Sequence, residues 1–159
     1  MNATKINKNK GFTLIELMAV VGIIAITMGV GMPSFQSAIA SNRLTASAND
    51  MVVALQVARS ESIKQMKIAG VIYNSSGSWD AVLVGTPSNV VVQKYTAASG
   101  ITLTVTSGTV TVGGEIARYR SDGRVVSNSD ITMRFEVSGS TEQRIVTIKP
   151  SGRVSVVTA

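Results

Sequence analysis

The sequence contains no cysteine and no histidine among its 159 residues. Thiol chemistry, disulfide bonds and an imidazole general base are therefore excluded, as are the usual side-chain ligands of zinc and iron. A reaction carried out without these groups would need a pair of carboxylates or a serine–lysine arrangement, and no such constellation is present. We therefore expect a protein that is not an enzyme and that holds no cofactor or metal ion.

Charge is also missing from a long stretch near the N-terminus. Glu16 is the only charged residue between Phe12 and Met32, and no further charge follows until Arg43. A helix over these 21 residues would span roughly 31 Å, which is the thickness of a bilayer's hydrocarbon core. The residues before it include three lysines and no acidic residue, which predicts a cytoplasmic N-terminus and an exported C-terminal domain; these lysines are Lys5, Lys8 and Lys10.

A lone carboxylate in a membrane span requires a partner, because a charge is costly in hydrocarbon. If the chain is cut after Gly11, Phe12 carries a new α-amine that lies one helical turn from Glu16. The helix macrodipole also favours a negative charge in the first turn. The amine and the carboxylate can pair within one chain or between neighbouring copies, and the second pairing would make Glu16 an assembly residue.

The same residues carry a family resemblance. Residues 11–17, Gly-Phe-Thr-Leu-Ile-Glu-Leu, follow a short basic leader and open the apolar run; this pattern resembles the class III signal of type IV pilins and pseudopilins. The resemblance implies cleavage between Gly11 and Phe12 by a prepilin peptidase, N-methylation of Phe12, and incorporation into a filament through Glu16. An ordinary signal peptide would instead have a small-residue cleavage site after the apolar run, and none closes this one.

Cleavage also changes the charge balance. The full chain has 15 basic and 9 acidic residues, a net charge of +6. Three of the basic residues belong to the leader, which leaves 12 against 9, or +3, in the mature chain. The basic character of the whole sequence is therefore no argument by itself for nucleic-acid binding.

A proline predicts an interruption of the long helix. Pro33 follows Gly29 and Gly31, lacks a backbone donor and clashes with the preceding turn, so we expect a kink or a locally melted segment. A proline at this place is usual in type IV pilins, whereas the related secretion pseudopilins of the H class often lack it. The resemblance thus favours a type IV pilus over a type II secretion system.

The second half of the helix is predicted to be amphipathic. From Phe35 to about Met66, apolar residues recur at three- and four-residue spacing, and Gly70 is the expected stop. Such a stripe would carry a sheet domain. Its members are Leu44, Ala48, Met51, Leu55, Ala58, Ser62 and Met66, widened by Val52 and Ile63.

A second motif lies near the end of this helix. Residues 58–61, Ala-Arg-Ser-Glu, resemble the corresponding segment of the GspH/FimT family, which narrows the resemblance to minor pilins. For Arg59 and Glu61 we expect a solvated helix face or a contact with the following loop, rather than a catalytic role.

From Val71 onward the sequence changes to short β-rich runs separated by turn residues. In Ile131–Val137 and Ile101–Val105 the apolar residues alternate, which predicts one face on a core and one in water. Trp79 is predicted to be a core or edge anchor. The ten candidate strands are Val71–Tyr73, Ala81–Val84, Val90–Tyr95, Ile101–Thr106, Thr109–Val112, Ile116–Arg120, Val125–Val126, Ile131–Val137, Arg144–Ile148 and Val154–Val157.

One short pattern occurs twice near the C-terminus. In residues 119–125 and in residues 149–154, the end of a predicted strand is followed by serine, glycine, arginine and valine in that order. They predict two similar β-turns, and the dipeptide Asp122-Gly123 predicts a two-residue hairpin loop. A Gly-Arg-Val turn before the last strand also resembles the GspH/FimT head domain.

These observations predict an α+β, pilin-like fold. A long N-terminal helix, with a transmembrane half and an amphipathic half, would pack on an antiparallel β-sheet head domain. The predicted parts are the cleaved leader 1–11, the transmembrane and filament-core helix 12–34, the amphipathic half 35–68 and the β-rich head 69–159.

The function implied by the resemblance is that of a minor pilin in the priming or tip complex of a type IV pilus, which supports twitching motility, adhesion and surface-fibre biogenesis. Its partners would be other major and minor pilins, the prepilin peptidase and the inner-membrane assembly platform. The chain would first be a single-pass inner-membrane protein with a periplasmic head, and then part of an extracellular pilus. The alternative is a type II secretion pseudopilin of the H class.

A further alternative is a DNA-binding minor pilin of natural transformation. Some FimT-type pilins bind DNA through a Gly-Arg-x-Arg pattern, but here Gly152-Arg153-Val154-Ser155 lacks the second arginine. Residues 115–159 hold seven basic and five acidic residues, and aromatic residues for stacking are few. Solvated strand positions are therefore favoured. The basic candidates for contact with phosphates are Arg118, Arg120, Arg124, Arg144, Lys149 and Arg153.

Overall fold

The computed structural model describes residues 11–74, 77–105 and 114–159, with the backbone alone for residues 30–34. Residues 1–10 of the predicted leader and the candidate strand Thr109–Val112 lie outside the described residues. The elements are α1 (Leu14–Lys64), β1 (Ala69–Tyr73), β2 (Ser78–Leu83), β3 (Val90–Thr96), β4 (Ile101–Val105), β5 (Glu115–Tyr119), β6 (Ile131–Val137), β7 (Gln143–Ile148) and β8 (Val154–Thr158). The chain divides into two compact units, Met1–Ala38 and Ile39–Ala159.

The first unit contains the N-terminal part of α1, and its described apolar side chains are exposed. The backbone is helical through residues 30–34, so this segment is not melted, and a kink at Pro33 stays a prediction. Within the described ranges, no helix combines the length and the apolar character needed to cross a membrane.

The second unit is built on the predicted apolar stripe of α1. Six of its seven members are buried: Leu44, Ala48, Met51, Leu55, Ala58 and Ser62. Two expectations are wrong, since Met66 is 83% exposed and Ile63 is 48% exposed. Ala54 is also buried and lies beside the stripe. The clustered core residues all lie between Leu44 and Ile148, so this unit holds its own hydrophobic core.

Helix α1 ends earlier than expected, and Gly70 does not stop it. Met66 has a φ of 50° and takes the left-handed position that a glycine usually fills. Its N–H donates to the carbonyl of Ile63, and the N–H of Lys67 donates to the carbonyl of Ser62. This pair of hydrogen bonds is a Schellman motif. Met66 is exposed because it lies beyond the last helical turn.

Gly70 has a different role, because it lies within β1. A Cβ atom at this position would lie 2.7 Å from the carbonyl oxygen of Ala117 on β5. The glycine therefore permits the close approach of two neighbouring strands rather than a helix stop.

The strands form two antiparallel sheets of four strands each. The first has the order β3-β2-β1-β5 and the second has the order β4-β6-β7-β8. The predicted alternation is confirmed in β6, where Ile131, Met133 and Phe135 are buried while the residues between them are half-buried. In β4 the apolar positions are likewise the less exposed ones. Val125–Val126 is not a strand, and only an isolated bridge joins Val125 to Tyr119.

One aromatic contact joins the two sheets. Trp79 of β2 is fully buried, and its ring lies edge-on to Phe135 of β6 at a centroid distance of 6.1 Å and an angle of 73°. This geometry is favourable for aromatic pairs. The prediction of Trp79 as a core anchor is therefore confirmed. So is the α+β fold with a long helix and an antiparallel β head, to which the structure adds the division into two sheets.

Candidate functional site

The predicted processing site is exposed at the start of the chain's described part. Gly11 and Phe12 precede the first turn of α1, and the Phe12 side chain is 88% exposed. A Cβ at Gly11 would meet nothing within 4 Å. The peptide bond between them is thus free of helical hydrogen bonding and open to an enzyme. Phe12 and Glu16 also line one shallow cavity with Leu17, Val20 and Val21.

Glu16 has a local partner that the sequence reasoning missed. The carboxylate accepts hydrogen bonds from the backbone N–H and the hydroxyl of Thr13, each at 3.0 Å. In return the Glu16 N–H donates to the Thr13 hydroxyl at 3.3 Å. This reciprocal arrangement is a capping box, and the spacing Thr-x-x-Glu was its readable signal. It explains why α1 begins at Leu14.

The two predicted turns near the C-terminus are real and nearly identical. In the first, Gly123 N–H donates to Arg120 and Arg120 N–H donates to Arg124, at 2.8 and 2.9 Å. In the second, Gly152 N–H donates to Lys149 and Lys149 N–H donates to Arg153, at the same two distances. Each loop thus has three residues, with a glycine in the left-handed region. The expectation of a two-residue loop at Asp122-Gly123 is wrong by one residue.

The two turns pack directly against each other. The N–H of Val125 donates to the carbonyl of Pro150 at 3.0 Å. Gly123 and Gly152 lie at the contact, with φ values of 75° and 82°. A Cβ at Gly152 would collide with the carbonyl oxygen of Gly123. Only glycine fits there, because both the backbone conformation and the space exclude a side chain.

Arg59 of the Ala-Arg-Ser-Glu motif lies beside both turns. Its guanidinium donates to the carbonyls of Gly152 and Ser151, at 3.3 and 3.4 Å. A Cβ at Gly123 would lie 3.3 Å from its Nε. Arg59 therefore contacts a distant turn, whose acceptor residues lie 92 and 93 positions further along the chain. It does not make the expected contact with the loop that follows the helix.

Glu61, in the same motif, has local partners. Its carboxylate accepts hydrogen bonds from Gln65 at 3.0 Å and from Lys64 at 3.1 Å. These bonds lower the pKa of Glu61, the Gln65 bond more than the Lys64 bond. The Glu61 side chain is 18% exposed, so it lies on a half-buried flank of the helix and supports the helix end through these bonds.

Two of the six basic candidates are engaged within the head. Arg118 Nη2 lies 2.6 Å from both carboxylate oxygens of Glu115. Arg144 is mostly buried, and it donates to the Ser41 hydroxyl at 3.3 Å and to the Gln143 carbonyl at 3.2 Å. Both cations are therefore partly committed to contacts within the head.

The other four basic candidates lie together on the paired turns. Their side chains are exposed, and within the described ranges none takes part in a salt bridge; they are Arg120, Arg124, Lys149 and Arg153. The carboxylate of Asp122 accepts a hydrogen bond from the N–H of Arg124. The paired turns therefore present a basic surface that the alternation of the strands alone did not predict.

Tyr119 is a buried group beside Arg59 for which the sequence carried no signal. Its side chain is fully buried at the end of β5, and its hydroxyl has no hydrogen-bond partner among the described residues. Burial raises the pKa of Tyr119 to about 12, and the positive charge of Arg59 opposes that rise.

The chain matches two family models. Residues 47–152 match the model described as type II transport protein GspH, and residues 6–32 match the prokaryotic N-terminal methylation motif. A curated relative, prepilin peptidase-dependent protein D of Escherichia coli K12, is 51% identical over 39 residues. That match covers 24% of this chain and 27% of the relative.

Solved structures of minor pilins share the fold. The type IV minor pilin FimU of Pseudomonas aeruginosa is similar with a TM-score of 0.63 and 19% identity, over 74% of this chain and 90% of that one. The minor pseudopilin EpsH from the type 2 secretion system of Vibrio cholerae has a TM-score of 0.58 and 18% identity, over 72% and 96%. Because the GspH model covers more than half of the sequence, the chain belongs to the GspH family and is a minor pilin or pseudopilin with an N-terminal methylation motif.

Proposed function

We propose that the protein is a structural subunit of a type IV pilus and that it acts in the complex that primes or tips the filament. The observation that carries this proposal is the exposed, non-helical bond between Gly11 and Phe12, one turn before Glu16. Cleavage there by a prepilin peptidase creates the α-amine of Phe12, which becomes N-methylated. Glu16 then exchanges its hydrogen bonds with Thr13 for a Phe12 amine, in the same chain or in a neighbour.

Before assembly, the chain resides in the inner membrane as a single-pass protein, with its N-terminus in the cytoplasm and its head in the periplasm. This part of the proposal is supported by the apolar run in which Glu16 is the only charge, and by the lysines before it. The partners are other pilins, the peptidase and the assembly platform. Its role is assembly and not catalysis.

The test is the variant Glu16→Ala, with Glu142→Ala as a control that removes an exposed carboxylate from the head. Leader removal is followed by mass spectrometry, and incorporation is followed by immunoblot of sheared filaments. We expect normal cleavage in both variants, and loss of incorporation only for Glu16→Ala. Normal incorporation of Glu16→Ala would disprove the assembly role of this carboxylate.

The choice between a pilus and a secretion system requires a separate test. We expect that deletion of the gene reduces surface fibres and twitching zones but leaves the secretion of folded exoproteins unchanged. The opposite result would assign the chain to a type II secretion pseudopilus, the alternative within the same family. Pro33 supports the pilus, through the resemblance of this helix to type IV pilins.

A second candidate function is DNA binding by the head. It is favoured by the basic surface of the paired turns, where Arg120 and Arg124 line a shallow cavity of about 220 Å³ together with Pro150. Phosphate groups bind such unpaired cations, and the affinity falls as salt rises. Arg118 and Arg144 already make contacts within the head, which weakens the case for DNA binding.

The test is a titration of the second unit with a short duplex DNA at low and moderate salt. We expect that Arg124→Gln weakens binding, whereas Arg118→Gln, which removes a cation already paired with Glu115, changes it less. No binding at low salt would remove DNA uptake from the functions of this head. It would leave the assembly role unaffected.

A further inference from the structure

Arg59 is a half-buried cation whose hydrogen-bonding capacity is incompletely used. Its two hydrogen bonds, at 3.3 and 3.4 Å, are at or beyond the long end of the usual range. Its Nε is buried and has no hydrogen-bond partner among the residues that the structure describes. In the described part of the chain, no carboxylate lies within salt-bridge distance of it. Buried charges are normally paired, but this guanidinium lacks such a counter-ion within the described residues.

The hydroxyl of Tyr119 is a second donor without a partner at the same place. It is buried within the described residues, and the Arg59 charge acts on it electrostatically. Leaving a buried hydroxyl unpaired is unfavourable, because the group has lost its hydrogen bonds to water without replacing them. Two unpartnered donors that lie together indicate an acceptor that comes from outside the chain.

Both residues line one groove between α1 and the start of β8. Its volume is about 190 Å³, and its remaining lining residues are Leu55, Gln56, Gly152, Arg153 and Val154. Arg153 adds a second cation. The groove is smaller than the roughly 300–1,000 Å³ of a typical small-molecule site, so it suits one side chain better than a whole metabolite.

The strand beside the groove is open to a partner. β8 forms one edge of the second sheet, and in the described part of the chain it pairs with β7 alone. Val156 and Val157 on this edge are 42% and 57% exposed. Exposed apolar edge strands pair readily with an extended segment of another chain.

We propose that this groove binds an acidic side chain on an extended segment of a neighbouring filament subunit, with the segment lying along β8. In the unliganded chain Arg59 Nε and the Tyr119 hydroxyl are covered, so binding shifts these two side chains, and the carboxylate then accepts hydrogen bonds from both of them and from the guanidinium of Arg153. Two cations and one neutral donor match the charge and the acceptors of a carboxylate. The identity of the partner rests on the proposed assembly function, whereas the groove and its ligand chemistry do not.

The experiment titrates the mature chain 12–159, in detergent micelles, with a synthetic peptide. The probe is acetyl-Thr-Val-Glu-Val-Thr-amide, and the comparison peptide has Gln in place of Glu. Charge-assisted hydrogen bonds are stronger than neutral ones, so we expect the Glu peptide to bind about tenfold more tightly. A third peptide, with Gln and a free C-terminal carboxylate, separates a side-chain acid from a chain end.

The variants provide matched controls. Arg153→Gln should weaken binding of the Glu peptide about fivefold or more, whereas Arg124→Gln, the equivalent position in the other turn, lies outside the groove and should leave it unchanged. Tyr119→Phe should weaken binding without lowering the thermal stability of the unliganded chain, because the hydroxyl has no partner there. If the hydroxyl had only a structural role, Tyr119→Phe would lower the stability of the unliganded chain and leave the affinity for the Glu peptide unchanged.

Four outcomes would overturn the proposal: equal affinity for the Glu and Gln peptides, equal loss in Arg124→Gln and Arg153→Gln, binding of the free-carboxylate peptide alone, or displacement of the peptide by duplex DNA. The last outcome would assign the groove to phosphate. If the peptide fails to bind while Glu16→Ala still blocks incorporation, the groove proposal is wrong and the assembly function stands.

Discussion

The hydroxyl of Thr13 makes two hydrogen bonds with Glu16 across the first turn of α1: it donates to the carboxylate at 3.0 Å and accepts from the backbone N–H at 3.3 Å. The charge therefore has a local partner before any cleavage. The capping box fixes the carboxylate at the helix start. The proposed pairing with a Phe12 amine must compete with this cap.

The cap and the assembly pairing can be separated by the variant Thr13→Val. Valine has a shape similar to threonine and removes both the hydroxyl donor and the hydroxyl acceptor, while Glu16 is kept. We expect leader cleavage to continue and incorporation into sheared filaments to fall much less than in Glu16→Ala. Equal loss in the two variants would mean that Glu16 acts through the cap rather than through an intersubunit pair.

The start of the helix could be predicted from the sequence because its signals are local. Gly11, Phe12 and Glu16 form a contiguous motif, and the helix that they open follows from the apolar run. The spacing of Thr13 and Glu16 also predicts the cap, although the prediction for Glu16 rested only on the charge of the carboxylate. Local spacing determines such features, so no tertiary information was needed.

Replacement of Gly152 by alanine should destabilise the paired turns more than the same change elsewhere. Gly139 is the matched control, since its φ of 85° is similar to the 82° of Gly152 but a Cβ there would meet nothing within 4 Å. We expect Gly139→Ala to cost about 1–2 kcal/mol, the usual penalty of the left-handed region. Gly152→Ala should cost roughly 1–3 kcal/mol more, because the carbonyl of Gly123 must also move.

The measurement is urea unfolding of the second unit, Ile39–Ala159, which contains the clustered core residues. The midpoint and slope for each alanine variant are compared with those of the unchanged sequence. Equal losses at the two positions would show that the turns do not depend on their close packing.

Replacement of Met66 by glycine should stabilise the same unit. The methionine holds a left-handed conformation with a φ of 50° while 83% of it is exposed, so it pays a backbone cost without burying its side chain. Glycine at this position of a Schellman motif removes the cost. We expect a gain of about 1 kcal/mol, read as a higher urea midpoint.

The control for this change is Lys67→Gly, one residue further along and outside the left-handed region. It should not stabilise the unit, because it only adds freedom to the unfolded chain. A loss of stability in Met66→Gly would contradict the assignment of the helix end.

The head could be predicted in part. Alternation identified the buried residues of β6, and the repeated glycine pattern identified both turns. The contact of Arg59 with Gly152, and the burial of Tyr119 beside it, could not be predicted, because they join elements that are far apart in sequence. Helix spacing shows that Arg59 lies off the apolar stripe, but it does not show which distant turn covers that flank.

The stability of the head should fall at high pH through the ionisation of Tyr119. Burial raises the pKa of this tyrosine from 10.0 to about 12, so the folded state holds the proton more tightly than the unfolded state does. Its contribution is therefore complete below about pH 10 and is lost as the pH rises towards 12. The loss at pH 12 is roughly 2 kcal/mol, taking 1.36 kcal/mol per pKa unit.

The measurement compares the unchanged unit with Tyr119→Phe, which cannot ionise at this position. The difference in unfolding free energy between the two should be constant up to pH 10 and should then shift in favour of the variant. The two proteins differ only in the phenolic hydroxyl of residue 119, so this difference isolates Tyr119. A constant difference up to pH 12 would mean that the Tyr119 hydroxyl reaches solvent in the folded, unliganded unit.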